Sequence, residues 1–246
     1  MDRLIYTAMT GAKHILEQQA TTAHNLANAT STGFKSQVDS FRAVPVLSKG
    51  LPTRAFVVDS TAGADFNTGA IQATNRDLDV AVQGKGWIAV QRADGSEAYT
   101  RNGSLKVSEN GILQTAAGQT VMGDGGPISI PPDVTISIAK DGTVSSISTN
   151  TLPGPSNTIG RIKLVNPEES KLVRATDGLF ATKDGNPAPA DANVQVVNGA
   201  LESSNVNVVD AMVTMISLAR QFETQMKLIQ SAENNANKAS QLLNLT

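Results

Sequence analysis

Helical seams at both ends of this chain, with a strand-and-turn body between them, limit what it can fold into. Ile5, Ala8, Ala12, Ile15, Gln19, Thr22, Leu26 and Ala29 follow steps of three and four residues. That spacing lines one face of a helix and predicts a helix over 4–29. At the other end Val208, Met212, Met215, Ala219, Phe222, Met226, Ile229, Glu233, Ala236, Ser240 and Leu243 repeat the pattern. They predict a longer helix over 206–245, with Asn205 or Asn207 as its N-cap. A regular alternation of threes and fours implies left-handed winding against a partner helix. Gln19 and Thr22 weaken the first seam, and Glu233 and Ser240 weaken the second. The two ends are therefore expected to pair as a coiled coil and to become firm only in the company of further copies.

The body reads differently. Asp94-Gly95, Asn102-Gly103, Asn110-Gly111, Asp141-Gly142, Asp177-Gly178 and Asp184-Gly185 are turn dipeptides that tolerate positive φ. They separate alternating or β-branched runs: Leu78–Val82, Trp87–Val90, Val134–Ile138 and Arg161–Val165. The fold class is α+β, with N- and C-terminal helices pairing and a central antiparallel β domain inserted between them. The expected domains are a helix at 1–30, an extended connector with one or two short strands at 31–76, a β domain at 77–195 and a helix at 196–246 that pairs with 1–30. Within the connector, Val44-Pro45-Val46 and Leu51-Pro52 exclude a regular helix. Thr61-Ala62-Gly63 and Asn67-Thr68-Gly69 read as loops, as do 150–158 and 184–193.

The chain has 246 residues and a formal charge of −2, which gives it no broad electrostatic claim on nucleic acid or anionic lipid. It has no cysteine, which removes disulfides, thiol nucleophiles and thiolate metal sites. Asp2, Thr7, Thr10 and Lys13 break any signal-peptide pattern at the start, and no run approaches the ~20 apolar residues of a membrane helix. His14 and His24 lie too far apart along one helix to share a metal. Gly84-Lys85-Gly86 lacks the spacing of a phosphate loop and reads as a tight turn between strands. Asp77 and Asp79 face one side of a strand with no base or nucleophile near them, and read as edge solubility. No cofactor, metal or enzymatic activity is expected.

Three blocks carry a resemblance. His24-Asn25-Leu26-Ala27-Asn28, continued to Thr32-Gly33-Phe34-Lys35, is similar to the N-terminal signature of the rod and hook axial proteins of the bacterial flagellum. Leu78-Asp79-Val80-Ala81-Val82-Gln83-Gly84-Lys85-Gly86-Trp87 resembles that family's central motif, with Trp87-Ile88 replacing the usual paired Phe. Gly199–Lys227, with Leu201-Glu202-Ser203-Ser204-Asn205-Val206 and Arg220-Gln221-Phe222-Glu223, is similar to its C-terminal signature. The opening Met1–Ala12 looks most like the family's proximal rod branch, with the distal rod as the nearest sibling.

The resemblance implies a structural subunit of the basal-body rod, polymerising into a helical drive shaft that transmits torque. It implies itself and other rod proteins as partners, with no nucleic acid and no direct membrane insertion. It also implies export by the flagellar type III apparatus without a cleaved signal peptide, and a periplasmic location. The expected subunit interface draws Ile5, Ile15, Asn25, Leu26 and Asn28 from the first helix, and Gly33 and Phe34 as hinge and anchor beyond it. From the second helix it draws Met212, Met215, Arg220, Phe222, Glu223, Met226 and Ile229. The alternatives are a distal rod or hook subunit, a secreted enzyme on the β domain, and a soluble adaptor with closed end helices. The enzyme would need a convergent acid, base or nucleophile set, and none is visible in the sequence.

Overall fold

A computed structural model describes residues 2–45, 55–148 and 156–243. The chain divides into two units. The first holds Met1–Ala29, Ser36–Asp65 and Val206–Thr246, and the second holds Thr30–Lys35 and Phe66–Asn205.

The first unit is built on two helices, α1 (Asp2–Ala27) and α2 (Val208–Leu243). They run antiparallel: Gly11 faces Gln225, while Thr22 shares a groove wall with Thr214. Every residue of the seam read for α1 from Ile5 to Ala29 is buried or half-buried, with Ala12 and Ile15 deepest. Asn207 caps α2, its Oδ1 accepting the Val209 and Asp210 N–H groups at 3.0 and 3.4 Å.

The covered face of α2 differs from the seam read in the sequence. It comprises Ala211, Met215, Leu218, Phe222, Gln225, Ile229 and Ala232, all buried or half-buried. Met215, Phe222 and Ile229 belong to both sets, but Val208, Met212, Ala219, Met226 and Glu233 are exposed. The first turns of α2 are apolar on nearly all sides, so spacing alone admits more than one stripe there.

Between the helices in sequence, β1 (Gln37–Pro45) and β2 (Ala55–Ala64) form an antiparallel hairpin. Its register runs from Gln37↔Ala64 to Pro45↔Ala55, with a bulge between Ser40 and Phe41. Thr61-Ala62-Gly63, read as loop, is part of β2. The Pro at 45 sits at a strand end, where a missing N–H costs no ladder bond. Val46 and Leu51-Pro52 lie outside the described residues.

The second unit contains β3 (Ile71–Ala73), β4 (Val80–Gln83), β5 (Trp87–Gln91), β6 (Glu97–Thr100), β7 (Leu105–Val107), β8 (Leu113–Thr115), β9 (Thr120–Gly123) and β10 (Gly126–Pro127). It continues with β11 (Val134–Ile138), β12 (Thr143–Ser148), β13 (Asn157–Arg161), β14 (Leu164–Val165), β15 (Leu172–Arg174), β16 (Phe180–Thr182), β17 (Gln195–Asn198) and β18 (Ala200–Glu202). The main sheet runs β15, β16, β6, β5, β9, β8, β7, with β10 added on β9 and β14 on β5. A second sheet runs β11, β12, β13, and β17 and β18 return to pair with β4 and β3. All named pairings are antiparallel. The core is aliphatic: Val80, Val82, Ile88, Val90, Leu105, Leu113, Val121, Val144 and Ile162 are essentially inaccessible.

The run Arg161–Val165 is split, with Arg161 ending β13 and Leu164–Val165 forming β14 in the other sheet. Of the expected loop at 150–158, Asn157 and Thr158 open β13 and 150–155 lie outside the described residues. Five of the six Asp/Asn-Gly pairs place their glycine at left-handed φ, the geometry that tight turns require. Asn102-Gly103 is the exception. Gly103 is needed because a Cβ there would lie 1.7 Å from the Val80 carbonyl oxygen.

Candidate assembly surface and a buried charge cluster

In the first unit, α2 offers a second apolar face opposite the one that α1 covers. Val209, Met212, Val213 and Ile216 are 68%, 49%, 61% and 56% exposed. On α1, Tyr6, Met9 and Leu16 are likewise exposed. A soluble monomer gains nothing from such stripes, which mark contact sites when they are contiguous. Between α1, β1 and α2 a groove of about 260 Å³ is lined by Gln18, Thr21, Thr22, Asn25, Val38, Asp39 and Leu218 among others.

The residues on the two helices expected at an interface fall into three groups. Ile15 is buried, and Ile5, Leu26, Met215, Phe222 and Ile229 are half-buried in the helix pair. Met212, Met226, Arg220 and Glu223 face solvent. Asn25 and Asn28 are half-buried and already engaged. Asn25 clasps Gln37 in both directions, donating from Nδ2 to its carbonyl and accepting its N–H at Oδ1, each at 2.8 Å. That clasp fixes the start of β1 on α1, as does Thr21 Oγ1 donating to Asp39 Oδ1 at 3.0 Å. Asn28 Nδ2 donates to the His24 carbonyl at 2.9 Å. His14 pairs with Glu17 at 2.9 Å and sets its ring edge toward Phe41 at 5.5 Å.

Gly33 and Phe34 belong to the second unit and lie beyond the end of α1 at Ala27. Gly33 has φ +67, and a Cβ there would sit 2.3 Å from the Arg101 carbonyl carbon. Its N–H donates to the Glu202 carbonyl at 2.7 Å, and the Asn205 N–H donates to the Phe34 carbonyl at 3.3 Å. These two bonds clamp segment 33–34 to segment 202–205.

A charge cluster lies against this clamp. Lys35 Nζ donates to Glu202 Oε1 at 2.7 Å and to the Asn67 carbonyl at 2.8 Å. Arg101 Nη1 donates to Glu202 Oε2 at 2.9 Å, and Nη2 to the Gly84 carbonyl at 2.7 Å. The Gly69 N–H adds a bond to Glu202 Oε1 at 2.9 Å. The side chains of Lys35, Arg101 and Glu202 are 1%, 3% and 1% exposed. Two cations thus share one carboxylate where water does not reach. Burial pulls the Arg101 pKa down, and Glu202 opposes that pull.

Aromatic rings complete the surroundings. Arg101 lies over the Trp87 ring at 5.4 Å, and Trp87 packs on Phe180 at 4.7 Å and Phe66 at 5.9 Å. The Arg174 guanidinium stacks on Phe34 at 4.8 Å and Phe180 at 5.0 Å, and donates to the Lys35 carbonyl. All three signature blocks therefore meet in the second unit: Gly33-Phe34-Lys35, Val82–Trp87 and Gly199–Asn205. Lys35 and Glu202 stood inside blocks singled out in the sequence, and a charge amid small and apolar neighbours was the available signal for them. Nothing local marks Arg101, Arg174 or Phe66.

Gly84-Lys85-Gly86 forms the turn between β4 and β5, with Lys85 paired to Glu169 at 2.9 Å on the surface. Asp77 is exposed as expected, but Asp79 is buried and accepts from Thr74 Oγ1 at 2.8 Å and Arg76 Nη1 at 3.0 Å, so it is a structural anchor. A cavity of about 480 Å³ is lined by Glu168, Lys171, Thr182, Asp184, Pro187 and Asp191 among others. There Lys171 pairs with Glu168 at 3.2 Å, and the Thr182 hydroxyl donates to the Asn186 carbonyl at 2.7 Å. Among the described residues no group of three or more His, Asp or Glu could hold a metal ion. No described helix is long and apolar enough to cross a membrane.

Comparison with known proteins matches two family models. Residues 81–146 match the flagellar hook protein FlgE/F/G D1 domain, and residues 197–242 match the flagellar basal body rod FlgEFG protein C-terminal region. The chain is 49% identical to the flagellar basal-body rod protein FlgF of Escherichia coli, over the whole of both chains. It is 46% identical to FlgF of Salmonella typhimurium, again over the whole of both. To the rod protein FlgG of Borreliella burgdorferi it is 31% identical, over 98% of this chain and 99% of the other.

Proposed function

The chain belongs to the flagellar basal-body rod protein family, and from that premise we propose how it builds a rod. It is a structural subunit of the basal-body rod, and its greater identity to FlgF than to FlgG relatives favours the proximal rod. Residues 1–30 and the helical part of 196–246 supply the inner lining, where helices of neighbouring copies wind together as a coiled coil; β17 and β18 stay with the β domain. Residues 31–76, which carry the hairpin, brace adjacent subunits, and the β domain at 77–195 rides outside. Because each copy presents different surfaces to the copies above and below it, contacts do not close, and a helical tube grows. Torque passes along it through packed helices. The partners are other copies and other rod proteins. The chain reaches them in the periplasm through the flagellar type III export apparatus.

The observation that carries this reading is the double apolar face of α2. α1 covers Ala211, Met215 and Leu218, while Val209, Met212, Val213 and Ile216 stand exposed. A neighbouring subunit's helix is the partner that such a stripe requires, and the solvent-facing Met226, Arg220 and Glu223 extend the same contact.

Replacing Ile216→Asp tests it. The variant should keep the helicity and melting behaviour of the parent, since Ile216 contributes little to the isolated chain. It should leave cells non-motile and fail to enter assembled rods. Normal swimming with intact basal bodies would refute the assignment.

A further inference from the structure

The clamp and charge cluster have a topological property that the assembly reading does not use. Lys35 and Glu202 are 167 residues apart in sequence, yet their side chains and the adjoining backbones are bonded directly. α1 precedes this junction and α2 follows it. Everything between residues 35 and 202, including the β1–β2 hairpin and the sheets of the second unit, is a closed loop behind it. A pull on the two chain ends reaches Gly33 from one side and Asn205 from the other. Once α1 has released α2 and its bonds to Gln37 and Asp39 of β1, the pull is met by the Gly33–Glu202 and Phe34–Asn205 backbone bonds and by the carboxylate that holds Lys35 and Arg101.

We infer that this junction is a tension latch: it carries force between the two chain ends and keeps the enclosed sheets unloaded until it opens. The chemistry suits that task. Charge-assisted bonds in a dry site are stronger than neutral ones and lose little to competing water. Glu202 holds Lys35, Arg101 and the Gly69 N–H at once, so releasing it breaks several bonds together and strands two buried cations. Arg174, bonded to the Lys35 carbonyl and stacked on Phe34, ties the N-terminal strap to β15 and holds it in place.

Single-molecule pulling of the full-length chain by its two ends tests the latch. After the terminal helices part, the wild-type chain should stay short and then lengthen by one large event, about 580 Å for the enclosed residues at ~3.5 Å each. In Glu202→Gln the opening rate extrapolated to zero force should rise about a hundredfold or more, because both cations lose their counter-charge. In Lys35→Met, which leaves a neutral Arg101–Glu202 pair, the rise should be about tenfold. Lys35→Met serves as the decisive variant if Glu202→Gln does not fold. Opening rates equal to wild type, or stepwise lengthening of the sheets before the large event, would overturn the latch. Because the measurement uses single molecules, its outcome is independent of whether Ile216→Asp blocks assembly.

Discussion

The two units solve the problem of burial in opposite ways. The second closes an aliphatic core around Val80, Ile88, Leu105, Leu113 and Val121, and neutralises its buried cations with Glu202. The first pairs two long helices through a mixed face in which Gly11, Ala12 and Gln225 sit beside Ile15, Leu218 and Phe222, and leaves Val209, Met212, Val213 and Ile216 in water. One unit buries its large aliphatic side chains, and the other leaves a stripe of them exposed. Under the proposed assembly, stability is local to one region and valence to the other.

The comparison breaks first at Glu202. In equilibrium unfolding followed by the emission of Trp87, Glu202→Gln should cost about 3–5 kcal/mol, because it leaves Lys35 and Arg101 buried without their carboxylate. Lys35→Met should cost less, about 1–3 kcal/mol. Equal costs would mean that net charge in the cluster does not matter. Next comes the core. Leu113, fully buried, should cost about 2–5 kcal/mol as Leu113→Ala in the same assay. A loss below that range would mean the second unit is looser than its packing implies.

A smaller effect appears only at high pH. Tyr99 is buried, accepts the Ala188 N–H at 2.7 Å, and has its hydroxyl pKa pushed up to about 12 from 10.0, chiefly by burial. The folded chain therefore holds this proton more tightly than the unfolded one. The stability so contributed is whole below pH about 10 and falls as pH rises towards 12, by roughly 2–3 kcal/mol in all. A pH series of denaturant midpoints should show this decline, and Tyr99→Phe should flatten it. The least effect belongs to the first unit: Ile216→Ala should shift the melting of the isolated chain by no more than about 0.5 kcal/mol. A large shift would show that the exposed stripe is already in use within one chain.

Much of the fold was legible in local pattern. The α1 seam, the extent of both helices, and the strands at 80–83, 87–91 and 134–138 follow from residue spacing. The α2 stripe was not fully legible, because Val208, Val209, Met212, Val213 and Ile216 make the helix apolar on several sides and more than one set of three-and-four steps fits. Strands were expected in the connector, but prolines and small residues masked their length and their pairing as a hairpin at 37–64, which depends on a partner strand and not on either strand's own pattern. The candidate interface residues remain proposals, and the structure adds that Asn25 already holds Gln37.

By itself the sequence determined which segments are helical, where the Asp-Gly turns fall and which family the motifs resemble, since each is written in neighbours a few residues apart. Only the tertiary structure decided which face of α2 meets α1, that Gly33 serves a backbone contact beyond the helix, and that Lys35, Arg101 and Glu202 share one dry site. Those outcomes join residues scores of positions apart. They are set by the free energy of closing long loops and burying charge together, which no local periodicity encodes.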